Sequence, residues 1–69
     1  MASRNYGLTE VVGTSPTGID AAIRNAVARV AQDNPHLDWF EVTDIRGYVR
    51  NGEVDHFQVT LKIGYGLDA

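Results

Sequence analysis

Two side chains in this sequence carry groups suited to gripping a flat molecule, Trp39 and Gln58. Trp39 is the only tryptophan in the chain. An indole presents a broad π face on which a planar ring can stack. A glutamine amide presents one acceptor and two donors in a single plane. Such a pair suits a ring edge on which carbonyl and N–H groups alternate. His56 stands two residues before Gln58 and shares its parity along an extended chain, which makes it a further candidate contact.

No other residues assemble into a catalytic set. Ser15 and Thr17 have no base beside them and read as helix caps, not as nucleophiles. The stretch "GTSPTG" lacks the lysine and the spacing of a phosphate loop. Asp33, Asp38, Glu41, Asp44 and Asp55 are dispersed, with no pair spaced for acid–base work. Dispersed carboxylates can gather a hard cation such as magnesium or calcium on a symmetry axis, but the sequence places no such site. Two histidines and no cysteine are too few for zinc without carboxylate help. His36 falls in a turn. The expectation is a binding protein and not an enzyme.

The elements that must position these groups follow from periodicity. In "NYGLTEVVG", Asn5 to Gly13, the residues Tyr6, Leu8, Glu10 and Val12 share one parity and are mostly apolar. That alternation predicts a strand with this set facing inward. Ile19, Ala22, Ile23, Ala26, Val27, Val30 and Ala31 then recur at helical spacing and form one apolar stripe. The alanines in it imply close approach to a flat partner such as a sheet. Two starts are open, Ser15 capping with Pro16 at the first helical position, or Thr17 capping with Asp20 three residues on. Asn34-Pro35 ends the helix, because proline disfavours helical backbone at the preceding residue.

Trp39 to about Arg50 and Glu53 to Tyr65 read as two strands joined at Asn51-Gly52, a strong signal for a type I′ hairpin. Counting out from that turn pairs Val49 with Val54, Ile45 with Gln58, Thr43 with Thr60, Glu41 with Lys62 and Trp39 with Gly64. The Glu41–Lys62 and Thr43–Thr60 matches are favourable cross-strand pairs. One face then carries Phe40, Val42, Phe57, Val59, Leu61, Ile63 and Tyr65 and covers the helix stripe. The other carries Trp39, Glu41, Thr43, Ile45, His56, Gln58, Thr60 and Lys62. A bulge at Gly47 would shift this division. The fold class is α+β, in the order β-α-β-β, with a three-stranded antiparallel sheet wrapped around one helix.

This geometry constrains the candidate site. Gln58 is six residues from Gly64, the partner of Trp39, and at ~3.3 Å per residue that is roughly 20 Å. Within one chain the two cannot hold one small ligand, such as a flavin or a purine. Across a symmetric interface they can. One helix also cannot cover two long strands, so their ends must pair or pack with other copies.

Composition agrees with assembly. Sixty-nine residues make one small domain, 1–69, whose core is marginal alone. Domains of this size usually lean on disulfides, a metal or oligomerisation, and with no cysteine the third is expected. Six basic against nine acidic residues give a net charge of −3, which argues against nucleic-acid binding. No apolar run approaches the ~20 residues of a membrane span, and no signal peptide is evident. A cytoplasmic location is the expectation.

The runs "EVVGTSPTGIDAAIRNAVARV", "HLDWFEVTDIRG" and "NGEVDHFQVTLKIGYGL" together resemble the dodecins, from about Tyr6 to Leu67. The motifs "VGTSP", "LDWFEV", "IRG" and "FQV" occur in that family's order. The resemblance implies a small flavin-binding protein, carrying FMN, riboflavin or lumichrome, in a hollow homododecamer. It implies that Trp39 stacks on the isoalloxazine ring and that Gln58 bonds its pyrimidine edge. Each pocket would lie between subunits, with two flavins between two tryptophans. Asp38 and Asp44 resemble positions lining the pocket or its ribityl side. Arg46 resembles a basic residue near the ribityl chain or the phosphate of FMN. Many bacterial members end "GFRLE", whereas this chain ends "GYGLDA", so Gly66 stands where an arginine could help hold a phosphate. Some relatives also bind coenzyme A on the outer surface, a role Arg29 could serve. The alternative is a structural or coenzyme A-binding homo-oligomer whose flavin pocket is vestigial.

Overall fold

The computed structural model describes residues 4–67. The order is β1 (Tyr6–Ser15), α1 (Ile19–Asp33), β2 (Leu37–Arg50) and β3 (Glu53–Gly66). The strands form an antiparallel sheet in the order β1-β3-β2. β3, which completes the hairpin, is therefore central.

The helix lies over β1 and β3. Ala22 and Ala26 press against Val59, Leu61 and Ile63, and these five form the buried core. Burying each of the three larger side chains contributes roughly 1.5–3 kcal/mol. Ile23, Val27 and Val30 flank the core and are half-buried. The alanine stripe does allow close approach. A side chain at Gly13 would collide with the Ala22 carbonyl and lie 2.8 Å from the Ala26 Cβ.

The inward face of β1 is the opposite of the one its apolar alternation suggests. Val11, opposite Leu61, packs on the core, and Gly13 and Ser15 are buried. Tyr6, Leu8 and Val12 point away from the helix and stay about half exposed. The helix demands small residues beneath it, and only the Gly13 parity supplies one.

The helix start also differs from both capping schemes. Gly18 is the N-cap, with extended backbone and no side-chain cap. Its carbonyl accepts the Ala22 N–H at 3.1 Å. The Ser15 hydroxyl is used earlier, accepting the Thr17 N–H at 3.1 Å and contacting Thr17 Oγ1 at 2.9 Å. That local turn swings the chain from strand to helix. The stop is as expected: Asn34 is extended and its N–H reaches the Val30 carbonyl at 3.0 Å.

Asn51 and Gly52 have φ of 53° and 78°, as a type I′ turn requires. The register obeys the simple count near the turn (Arg50–Glu53, Val49–Val54) and at the far end (Trp39–Gly64 to Val42–Leu61). Between them it slips by one residue. Thr43 is an extra residue in β2, and Asp55 is a compensating extra residue in β3. Asp44 therefore faces Thr60, Ile45 faces Val59 and Arg46 faces Gln58. The expected Thr43–Thr60 and Ile45–Gln58 pairs are replaced, and Gly47 carries no bulge but pairs with Phe57 within the slipped stretch. Thr43 keeps a link to Thr60 through its hydroxyl, which donates to the Thr60 carbonyl at 3.3 Å.

The hairpin projects well past the helix, and the molecule measures 56 × 21 × 14 Å. The helix does not cover β2, so Phe40 and Val42 remain 49% and 38% exposed although they share its side of the sheet. No helix among the described residues is long and apolar enough to cross a membrane.

Candidate functional site

Trp39 lies flat on the sheet because Gly64 is opposite it. Any Cβ at position 64 would collide with the indole, whose Cε2, Cζ2 and Nε1 occupy that space. Asp38 is an extra residue at the start of β2, between the Leu37–Tyr65 and Trp39–Gly64 pairs. That irregularity keeps Leu37 on the core side and turns Trp39 to the open face. The Tyr6 ring meets the indole edge-on, with centroids 6.3 Å apart and planes at 63°. The indole is thus braced from below and from one edge, yet remains 41% exposed.

Arg4 completes this end of the sheet. Its guanidinium lies over the Tyr6 ring, 5.5 Å from the centroid, a distance suited to cation–π attraction. It also occupies the space above Gly66, where a Cβ would collide with Nη2 and lie 3.3 Å from Asp38 Oδ2. The bond from the Leu67 N–H to the Asn5 carbonyl, at 2.9 Å, carries the β1–β3 ladder past its last pair and fixes this segment. Arg4, His36, Asp38 and Gly66 line a cavity of about 640 Å³.

A second group gathers near the middle of the hairpin, and the slipped register makes it. Arg46 and Gln58 are cross-strand partners, with Asp44–Thr60 on one side and Tyr48–His56 on the other. Asp44 accepts from Arg46 Nε at 3.3 Å and from Nη2 at 3.0 Å. Hydrogen bonding to Asp44 and its charge, with a further contribution from Tyr48, raise the Arg46 pKa above its ordinary value. The Tyr48 and His56 rings stack at 4.7 Å with planes 9° apart. His56 Nδ1 is 2.7 Å from Asp55 Oδ2. Gln58 is half-buried in the central strand.

The candidate residues therefore divide. Asp38 and Trp39 stand at one end of the sheet, and Asp44, Arg46, His56 and Gln58 cluster toward the other. Gln58 lies six residues along β3 from Gly64, roughly 20 Å at strand rise. One chain holds the two groups apart on one face of the sheet. Sequence reasoning missed Arg4, Tyr6 and Tyr48 as members of these groups. Tyr6 and Arg4 follow once β1 is antiparallel to the end of β3. Tyr48 follows only from the bulges.

A sequence model of the dodecin family matches residues 6–68. The chain belongs to the dodecin family. It is 46% identical to a dodecin of Thermus thermophilus over 63 residues, 91% of each chain. Among solved dodecins, that of Streptomyces coelicolor is 54% identical with a TM-score of 0.91, covering 100% of this chain and 99% of the other. That of Streptomyces davaonensis is 47% identical with a TM-score of 0.90, covering 99% and 100%. The β-α-β-β architecture is thus the dodecin fold throughout.

The remaining dodecin-derived expectations concern other surfaces. Arg29 is engaged by Asp33 at 3.0 Å on the outer face of the helix. It shares a cavity with Glu10 and Asp33, so acidic groups border that patch. Among the described residues, no three histidine or acidic side chains cluster in a way that would hold a metal ion.

Proposed function

We propose that this dodecin-family chain is a flavin-binding protein that stores flavin between its own copies and quenches its photochemistry. The observation that carries this reading is Trp39, an indole held flat over Gly64, braced by Tyr6 and left open on its outer side. A rigid aromatic plane kept accessible at that cost suits stacking better than core packing. Gln58 would bond the pyrimidine edge, with Arg46, Asp44 and His56 beside it, and Asp38 would border the ring end. The bound flavin supplies the chromophore and the redox chemistry. Trp39 contributes an electron-rich plane in contact with it, and exclusion of water by the second copy completes the pocket.

Assembly is part of the reading. Among the described residues, twelve large apolar side chains are at least 38% exposed in the single chain, against five buried apolar residues. Those on the open face, Tyr6, Leu8, Val12, Trp39 and Tyr48, lie beside or within the two groups. Covering them with another copy would bring one copy's Trp39 to the other's Gln58. The family resemblance supports a hollow homododecamer, and a cytoplasmic location suits such a store. A binding role, and not a catalytic one, is part of this reading.

The test is fluorescence titration with FMN and riboflavin. Complete quenching at one flavin per chain is the expected result. Unchanged flavin emission would leave a structural or coenzyme A-binding oligomer instead. Trp39→Ala should abolish binding while native mass shows the assembly intact. Dissociation of that variant would make Trp39 an interface residue above all.

A further inference from the structure

We propose that Arg4 selects phosphorylated flavin, standing in space where the sequence lacks a cation at position 66. The proposal rests on the flavin reading and names the form of flavin that the site prefers.

The end of the sheet is arranged around this guanidinium. Gly66 has no side chain, and Arg4 Nη2 fills the volume that a Cβ at that position would enter. A side chain at 66 would displace the guanidinium, the mobile end of Arg4, so the glycine leaves that volume to it. Gly66 is two residues beyond Gly64 on the same face of β3, and Gly64 carries the indole of Trp39. Two residues span about 6.6 Å along a strand. Arg4 also rests on Tyr6, which in turn meets the edge of Trp39. The chain of contacts Arg4–Tyr6–Trp39 sets a fixed cation beside the stacking plane, within reach of the tail of a ring ligand.

Among the described residues, Arg4 has no carboxylate within ion-pair distance, unlike Arg24, Arg29, Arg46 and Arg50. Asp38 borders the same space but lies outside the pairs formed. The adjoining cavity of about 640 Å³ gives room for a phosphate and its water. A guanidinium offers a planar fork of donors matched to phosphate oxygens. Ladder pairing through Asn5 and Leu67 orders the backbone beside Arg4 before a ligand arrives, which lowers the entropy cost of binding.

The experiment compares FMN with riboflavin, which differ only by the phosphate, on the assembled protein at pH 8 and low salt. Wild type should bind FMN about tenfold more tightly, the scale of one charge-assisted contact. The preference should shrink as salt rises. Arg4→Ala should weaken FMN to the level of riboflavin and leave riboflavin unchanged. Adding Gly66→Arg to Arg4→Ala, where the space is now free, should restore the preference. Equal binding of the two flavins by wild type overturns the proposal. So does an Arg4→Ala variant that loses both ligands alike, which would mark a structural role. Both results leave flavin binding itself standing, whereas failure of wild type to bind either flavin removes both readings.

Discussion

Arg46 and Gln58 stand directly opposite each other on neighbouring antiparallel strands, and Ile45 does not. This pairing exists because Thr43 is an extra residue in β2 and Asp55 an extra residue in β3. Each bulge shifts side-chain parity by one. Between them, Asp44, Arg46 and Tyr48 therefore join the face that holds Thr60, Gln58 and His56. A polar group forms where an uninterrupted ladder would have put an isoleucine beside the glutamine.

Crosslinking tests that register. Facing residues have Cβ atoms about 4.5–5.5 Å apart, near the reach of a disulfide. With cysteine introduced at Arg46 and Gln58, mild oxidation should give an intrachain disulfide. The same pair of substitutions at Ile45 and Gln58 should not. Mass spectrometry after tryptic digestion reads the difference, and preferential 45–58 linkage would restore the straight register.

The flat seat of Trp39 depends on Gly64. Gly64→Val should push the indole off the sheet, since its side chain enters the space of the ring. The expected outcome is a shifted tryptophan emission and at least tenfold weaker flavin binding, with a stability cost of about 1–3 kcal/mol. Circular dichroism should show the strands retained. Wild-type flavin affinity in this variant would mean that the seat is irrelevant to stacking.

Gly13 is the point of closest contact between sheet and helix. Gly13→Ala should cost about 1–3 kcal/mol in urea unfolding, because the obstacle is the Ala22 carbonyl of the helix backbone and not a mobile side chain. Gly18, whose added Cβ meets nothing within 4 Å, is the control. Gly18→Ala should cost less, about 0.5–1 kcal/mol, the difference between glycine and alanine as N-cap residues.

Arg46 supplies a pH prediction. Its pKa is raised by Asp44, so its contribution is present below its ordinary, already high pKa and is lost only as pH rises through the still higher folded value. No loss falls in the working range. The ratio of flavin affinities between wild type and Arg46→Ala should therefore be the same at pH 8 and pH 10. A ratio that collapses between those points would show that Arg46 is not held as a cation there.

The β-α-β-β order was legible because each element carries a local signal. The stripe from Ile19 to Ala31, the break at Asn34-Pro35 and the turn at Asn51-Gly52 act within a few residues. Trp39 opposite Gly64 was legible too, since the bulges at Thr43 and Asp55 cancel over the full count. The neighbourhood of Gln58 was not, because a bulge leaves no compulsory residue type behind. Nor was the inward face of β1, where Tyr6, Leu8 and Val12 look like core residues by hydropathy alone.

By itself, then, the sequence determined the elements, the turn and the family, because periodicity, proline and positive φ act locally. Only the tertiary structure decided which parity of β1 meets the helix, since that is set by clearance between Gly13 and Ala22 across the core. Only it set Arg46 beside Gln58 and Arg4 above Gly66. The last pair is 62 residues apart in the chain. It meets because β1 and β3 run antiparallel and end together, a long-range pairing that no local pattern encodes.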